Sequence, residues 1–156
     1  MRILSLIFIF LLTANWSGAM IETMKLPELV QKSDFIFLAK VEQIQEMAKD
    51  ENQVSTVKNV LSLEKALKGN WDKKEPLVIM TQQVKSFGEM GSIEDQVEFP
   101  PKGFRIIVFL KKASDGNLEV VNSLQGLWPL HDSQPIGMGQ GITIKQLEDV
   151  IAKQKK

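Results

Sequence analysis

Hydrophobic and polar positions change period several times along this chain, and each change marks an element. Residues 26–33, LPELVQKS, place Leu26, Leu29 and Val30 at helical spacing behind Pro27, which suits a first helical turn, so a short helix is expected. In the next run, DFIFLAKVEQIQEM, Phe35 to Ala39 are apolar on both faces, and then Val41 alternates with Lys40 and Glu42. That pattern predicts a strand that begins buried and ends half exposed. KDENQ (49–53) reads as a polar turn. VSTVKNVLSLEKALKGN fits either element: Val57, Val60, Leu61 and Leu67 make a helical face, whereas Val57, Leu61 and Leu63 suit a strand.

The second half is clearer. EPLVIMTQQ (75–83) predicts a short strand. Residues 84–103 form a long stretch with three glycines, two prolines and four acids, and loops of that length usually carry function or lack order. FRIIVFLKK (104–112) has an unbroken apolar centre, Ile106 to Leu110, which calls for a central strand covered on both faces. Asp115-Gly116 marks a hairpin turn, and NLEVVNSL (117–124) returns beside that strand. GLWPLHDSQPIGMGQG (126–141) is dense in glycine and proline. TIKQLEDVIAKQKK then predicts an amphipathic helix, with Thr143 and Gln146 in capping-box positions and lysines at its C-terminal end.

At the N-terminus, Arg2 precedes an apolar run from Ile3 to Leu12, and Ser17 and Ala19 stand at the −3 and −1 positions of a cleavage site. This is the layout of a secretory signal peptide over residues 1–19, leaving residues 20–156 as one domain. A spanning helix needs about 20 mostly apolar residues, and this run falls short of that. An exported protein, periplasmic or extracellular, without a stable membrane anchor after cleavage is therefore expected.

Composition narrows the chemistry. The 19 bases balance the 19 acids, so the basic excess of a nucleic-acid binder is missing. With no cysteine, the chain has no thiol nucleophile, thiolate metal site, disulfide or lipoprotein anchor. His131 is the only histidine; one imidazole does not build a multi-histidine metal site, and no nucleophile-elbow motif accompanies it. Gly137, Gly139 and Gly141 precede a helix, but the strand-glycine-helix unit of a phosphate cradle and its Gly-Lys-Ser/Thr are lacking. They read as turn residues that deliver the last helix. Glu89, Glu94, Asp95 and Glu98 do not follow the spacing of a calcium loop. Neither a cofactor nor a metal nor a catalytic residue is expected.

Five segments recur in an order that resembles a group of uncharacterised bacterial exported proteins: SDFIFLAKV, LEKALKG, PPKGFRIIVFL, LQGLWPL and TIKQLEDVI. That group looks similar to the OB-like inhibitor domains of tissue metalloproteinase inhibitors and netrin modules. The resemblance implies that Val54 to Leu67 is a strand. It also implies a mainly β chain with flanking helices (α+β): a small antiparallel OB-like barrel of about five strands with a short N-terminal and a C-terminal helix. It implies no site residue, since those inhibitors chelate zinc through an N-terminal cysteine and this chain has none.

The expected function is a non-catalytic binding domain for a protein or peptide, with loop 84–103 and segment 128–141 as contact regions. Phe87, Met90 and Phe99 would offer an apolar patch if exposed. Trp128 reads first as core packing, an aromatic plug over a barrel end. With His131 and Gln134, an exposed Trp128 would suit the alternative of a small-molecule or saccharide site. A third reading uses His131 as a general base.

Overall fold

The structure is a computed structural model that describes residues 22–51, 54–72, 74–84 and 96–154. The leader, its cleavage site, Phe87 and Met90 lie outside the described residues. The elements run α1 (Leu26–Lys32), β1 (Phe35–Lys49), β2 (Val54–Lys68), β3 (Leu77–Val84), β4 (Arg105–Lys112), β5 (Leu118–Val120), β6 (Leu127–His131), β7 (Gln134–Pro135) and α2 (Ile144–Gln154). Among the described residues no helix is long and apolar enough to cross a membrane.

The chain is mainly β: a seven-stranded antiparallel sheet in the order β3-β2-β1-β4-β6-β7, with β5 also on β4. β4 pairs with β1 along one edge. Along the other it pairs with β6 through Ile106–Val108 and with β5 through Leu110–Lys112. Both faces of β1 and β4 are covered, which explains the unbroken apolar runs. One core holds Ile36, Leu38, Ile107 and Phe109 against Leu29 and Val30 of α1 and Leu147 and Ile151 of α2. The other holds Phe37, Ala39, Ile106, Val108 and Leu110 against Leu61, Leu77 and Ile79 of the β2–β3 hairpin.

The ambiguous segment 54–68 is a strand, paired with β1 from Ser55 to Lys68. Four irregularities interrupt that ladder, at Ile36/Phe37, Leu38/Ala39, Val41/Gln43 and Glu46/Ala48. Bulges of this kind bend a hairpin and increase its twist. The long β1–β2 pair therefore coils, and it carries β3 round towards β5.

The expected OB-like barrel, closed or nearly closed, is an open sheet. β3 and β5 approach each other but share no ladder, so the sheet stays open. The reason lies in β5, which has only three residues. The chain leaves it at Val121, whose N–H donates to the Phe109 carbonyl, and turns through a 3-10 segment, Ser123–Gly126, to regain the edge of β4 as β6. Too little strand remains to close the seam, and Phe99 enters the core behind it.

The helices dock through polar ties as well as apolar faces. Lys68 Nζ donates to the carbonyls of Val30 and Ser33, satisfying groups at the end of α1. Burial holds its pKa below the usual lysine value, and nearby Asp34 partly offsets that. α2 begins with the expected reciprocal cap: the Thr143 N–H donates to Gln146 Oε1, and the Gln146 N–H donates to Thr143 Oγ1.

Trp128 is 1% exposed in the helix-side core, with its ring centroid 4.6 Å from that of Phe109. Its Nε1 donates to the Gln125 carbonyl at 2.7 Å. Gly139 lies so close to the indole that a Cβ there would overlap the ring. Segment 126–141 is thus a crossover whose glycine fits beneath a buried tryptophan. Gly139→Ala should lower stability in urea unfolding by about 1–3 kcal/mol through overpacking. Met138→Ala, at an exposed neighbour, should stay within about 0.5 kcal/mol of the parent.

Candidate functional site: a groove between two strand edges

The gap between β3 and β5 is a groove of about 410 Å³. Met80, Thr81, Gln82 and Val84 of β3 form one wall, with Val54 of β2 beside them. Glu119 and Val120 of β5 form the other, and Gln96 and Val97 line one side. The volume lies within the usual range for a binding cleft.

The β3 wall follows directly from its sequence. LVIMTQQV contains neither charge nor proline, and its pairing with β2 runs from Leu77 to Val84 without a register shift. Its inward side chains, Leu77 and Ile79, fill the core, whereas Val78 and Met80 are 36% and 44% exposed. Natural sheets usually blunt such edges with lysine, proline, a bulge or short length. The other edges here follow that rule. β7 has two residues, one of them Pro135. β5 is short and carries Glu119, paired with Lys111 of β4 at 3.2 Å.

A polar network stands behind the groove. Asn59, fully buried on β2, donates from Nδ2 to the Ile79 carbonyl at 3.1 Å and to Thr81 Oγ1 at 3.0 Å. Its Oδ1 has no hydrogen-bond partner among the described residues. Because Thr81 Oγ1 accepts from Asn59, its own hydroxyl proton is left to donate elsewhere. Beyond Asn59, Ser55 Oγ bonds Glu46 Oε1 at 2.5 Å, so the inner face turns from apolar to polar towards the hairpin tip.

A second, shallower depression lies between Lys102–Arg105 and Asp132–Ser133. Its cation is engaged: Arg105 donates from Nε and Nη2 to the Glu64 carboxylate, with contacts of 2.8 to 3.1 Å, and from Nη1 to Ser133 Oγ at 3.2 Å. The hydrogen bond with Glu64 raises the Arg105 pKa further above its usual value. Phe104 is 45% exposed beside it.

The residues singled out from the sequence do not gather at either place. Phe99 is 3% exposed in the inner core and Trp128 is in the helix-side core, so neither presents a ring to solvent. His131 and Gln134 pair across a two-residue hairpin turn whose central residues, Asp132 and Ser133, both have positive φ, 48° and 64°. His131 Nδ1 lies 3.4 Å from Asp132 Oδ2, with both side chains strongly exposed. Among the described residues no three His, Asp or Glu side chains gather as a metal site. Sequence reasoning missed Met80, Thr81 and Asn59. The one available signal was the lack of any charge over eight residues of β3.

No protein-family model matches this chain, and no curated protein matches it.

Asn59→Asp should place a carboxyl where the amide donates twice. Burial should raise the pKa of that group above its unfolded value. The protonated form keeps one donor and is tolerated best, so the penalty should be small at acid pH and grow as pH rises through the raised pKa, to about 2 kcal/mol or more near neutrality. Urea unfolding of the variant at several pH values checks this; a penalty independent of pH would contradict the assigned geometry.

Proposed function

We propose that this chain is an exported, non-catalytic binding domain that takes a segment of a protein or peptide in the groove between β3 and β5. The observation that carries the reading is the groove wall: an uncharged, eight-residue strand edge beside apolar side chains. The signal-peptide layout at the N-terminus supports export. The order β3-β2-β1-β4-β5, with β3 and β5 facing each other unpaired, supports an OB-like ancestry in which one seam has stayed open.

The observations favour this over a small-molecule or saccharide site. That alternative takes Trp128 as its stacking face, and the indole is covered by Phe109 and Gly139, while the exposed Phe104 lies at the other depression, outside the groove. A role for His131 as general base has even less support, since among the described residues its side chain meets the exposed Asp132 carboxylate and not a hydroxyl.

The test is site-specific photo-crosslinking in the native host, with the full-length protein carrying the reactive group at Gln82 or, as a control outside the groove, at Met138. A single reproducible partner captured from position 82 and not from 138 is expected. Equal capture from both positions, or none from 82, would contradict the reading.

A further inference from the structure

We propose that Asn122 and Gln125 form a latch for the segment that follows the leader, and that the latch closes on residues 22–24 only once the leader has been cut away. This rests on the reading of residues 1–19 as an export leader and is independent of the groove. The latch consists of side-chain amides acting on main chain. The Met24 N–H donates to Gln125 Oε1 at 2.9 Å, and Gln125 Nε2 donates back to the Met24 carbonyl at 2.6 Å. Asn122 Nδ2 donates to the Glu22 carbonyl at 2.9 Å and to Gln125 Oε1 at 2.6 Å. Gln125 thus meets both main-chain polar groups of Met24, as a residue of a neighbouring strand would.

The turn that carries these amides is held by contacts that do not involve the segment. Gln125 is buried, its N–H donates to the Asn122 carbonyl at 3.2 Å, and its own carbonyl accepts from Trp128 Nε1. Asn122 has φ 51°, in the left-handed region that asparagine tolerates better than most residues, and from there its amide reaches both Glu22 and Gln125. The segment itself is held lightly. Glu22 and Thr23 are exposed, and Met24 is the one of the three that packs against the helix-side core. Such a segment can open locally while the sheet and both helices stay folded.

Leader removal is hydrolysis of the Ala19–Met20 amide by a signal peptidase: one water is consumed, and an Ala19 carboxylate and a Met20 ammonium are left. A peptidase needs accessible, unpaired main chain on both sides of the bond it cuts. With the latch closed, Met20 and Ile21 alone separate that bond from the clamped Glu22, and two residues span at most about 7 Å. The domain, with a radius of gyration of roughly 14 Å for its length, then stands against the bond and against the bilayer that holds the leader. Opening the latch frees the chain as far as Lys25, the residue before α1, and the five residues 20–24 span about 17 Å. Cutting therefore comes first and closing second. In a chain that folds before it is cut, the cutting rate follows the fraction of molecules with the latch open.

The experiment gives the folded full-length chain, in detergent micelles, to a purified signal peptidase and follows cutting by mass spectrometry. The parent is compared with the double variant Asn122→Gly, Gln125→Ala, and with a form that has about four glycine and serine residues inserted between Ile21 and Glu22. Glycine keeps the left-handed conformation at position 122, and the insertion leaves every latch contact in place. Near-UV circular dichroism, to which the buried Trp128 contributes, reports that each form is folded. Both altered forms should be cut near Ala19 about tenfold or more faster than the parent, and Met138→Ala should be cut at the parent's rate. A parent cut as fast as the insertion form would overturn the latch, and so would a folded double variant cut no faster than the parent. Should the double variant fail to fold, the insertion form decides alone. If every form is cut near Ala19 at one rate, the leader reading stands and the latch falls; if none is cut there, both fall.

Discussion

Six residues of β1, Phe35 to Lys40, lie antiparallel against Arg105 to Leu110 of β4, and their alternation serves two cores at once. The pairs Ile36–Phe109 and Leu38–Ile107 face the helices, while Phe37–Val108 and Ala39–Ile106 face the coiled β2–β3 hairpin. A slip of one residue would exchange the two sets and bury each against the wrong layer. Everything else hangs on this ladder. α1 and α2 dock on one side of it, the hairpin folds over the other, and β5 and β6 share the edge of β4 that β1 leaves free.

The same arrangement creates the opening. β4 has one remaining edge, and two strands occupy it end to end. β6 must be there because it delivers Trp128 to the helix-side core, so β5 is confined to three residues. β3, carried round by the bulged hairpin, arrives opposite a strand too short to close the sheet. The groove is therefore a consequence of how the cores are filled. Its uncharged β3 wall is a separate property of the sequence, since the packing would tolerate charges at the exposed positions Val78 and Met80.

Much of the fold was legible in residue order. The apolar run of β4, the Asp115-Gly116 turn and the Thr143/Gln146 cap each have a local cause and stand where they were expected. Segment 54–68 was ambiguous because polar Ser55 and Asn59 occupy buried positions in its regularly alternating first half, and register shifts against β1 break the alternation in its second half. The open seam was not legible, since it depends on how β5 and β6 divide one edge. Nor was the groove, whose walls come from residues near 54, 80, 96 and 120. Trp128, His131 and Gln134 attracted notice by residue type, but type does not tell which way a side chain faces. The indole turned inwards, and the imidazole stayed on an exposed hairpin.

The central claim is that β3 keeps an unpaired edge in the free protein. Amide-resolved hydrogen exchange on the unliganded full-length chain measures this most directly. The account predicts an alternation along β3: slow exchange at Ile79, Thr81 and Gln83, which face β2, and fast exchange at Val78, Met80 and Gln82. Uniform protection from Leu77 to Val84 would mean that the second edge is already paired, and the open groove would not exist.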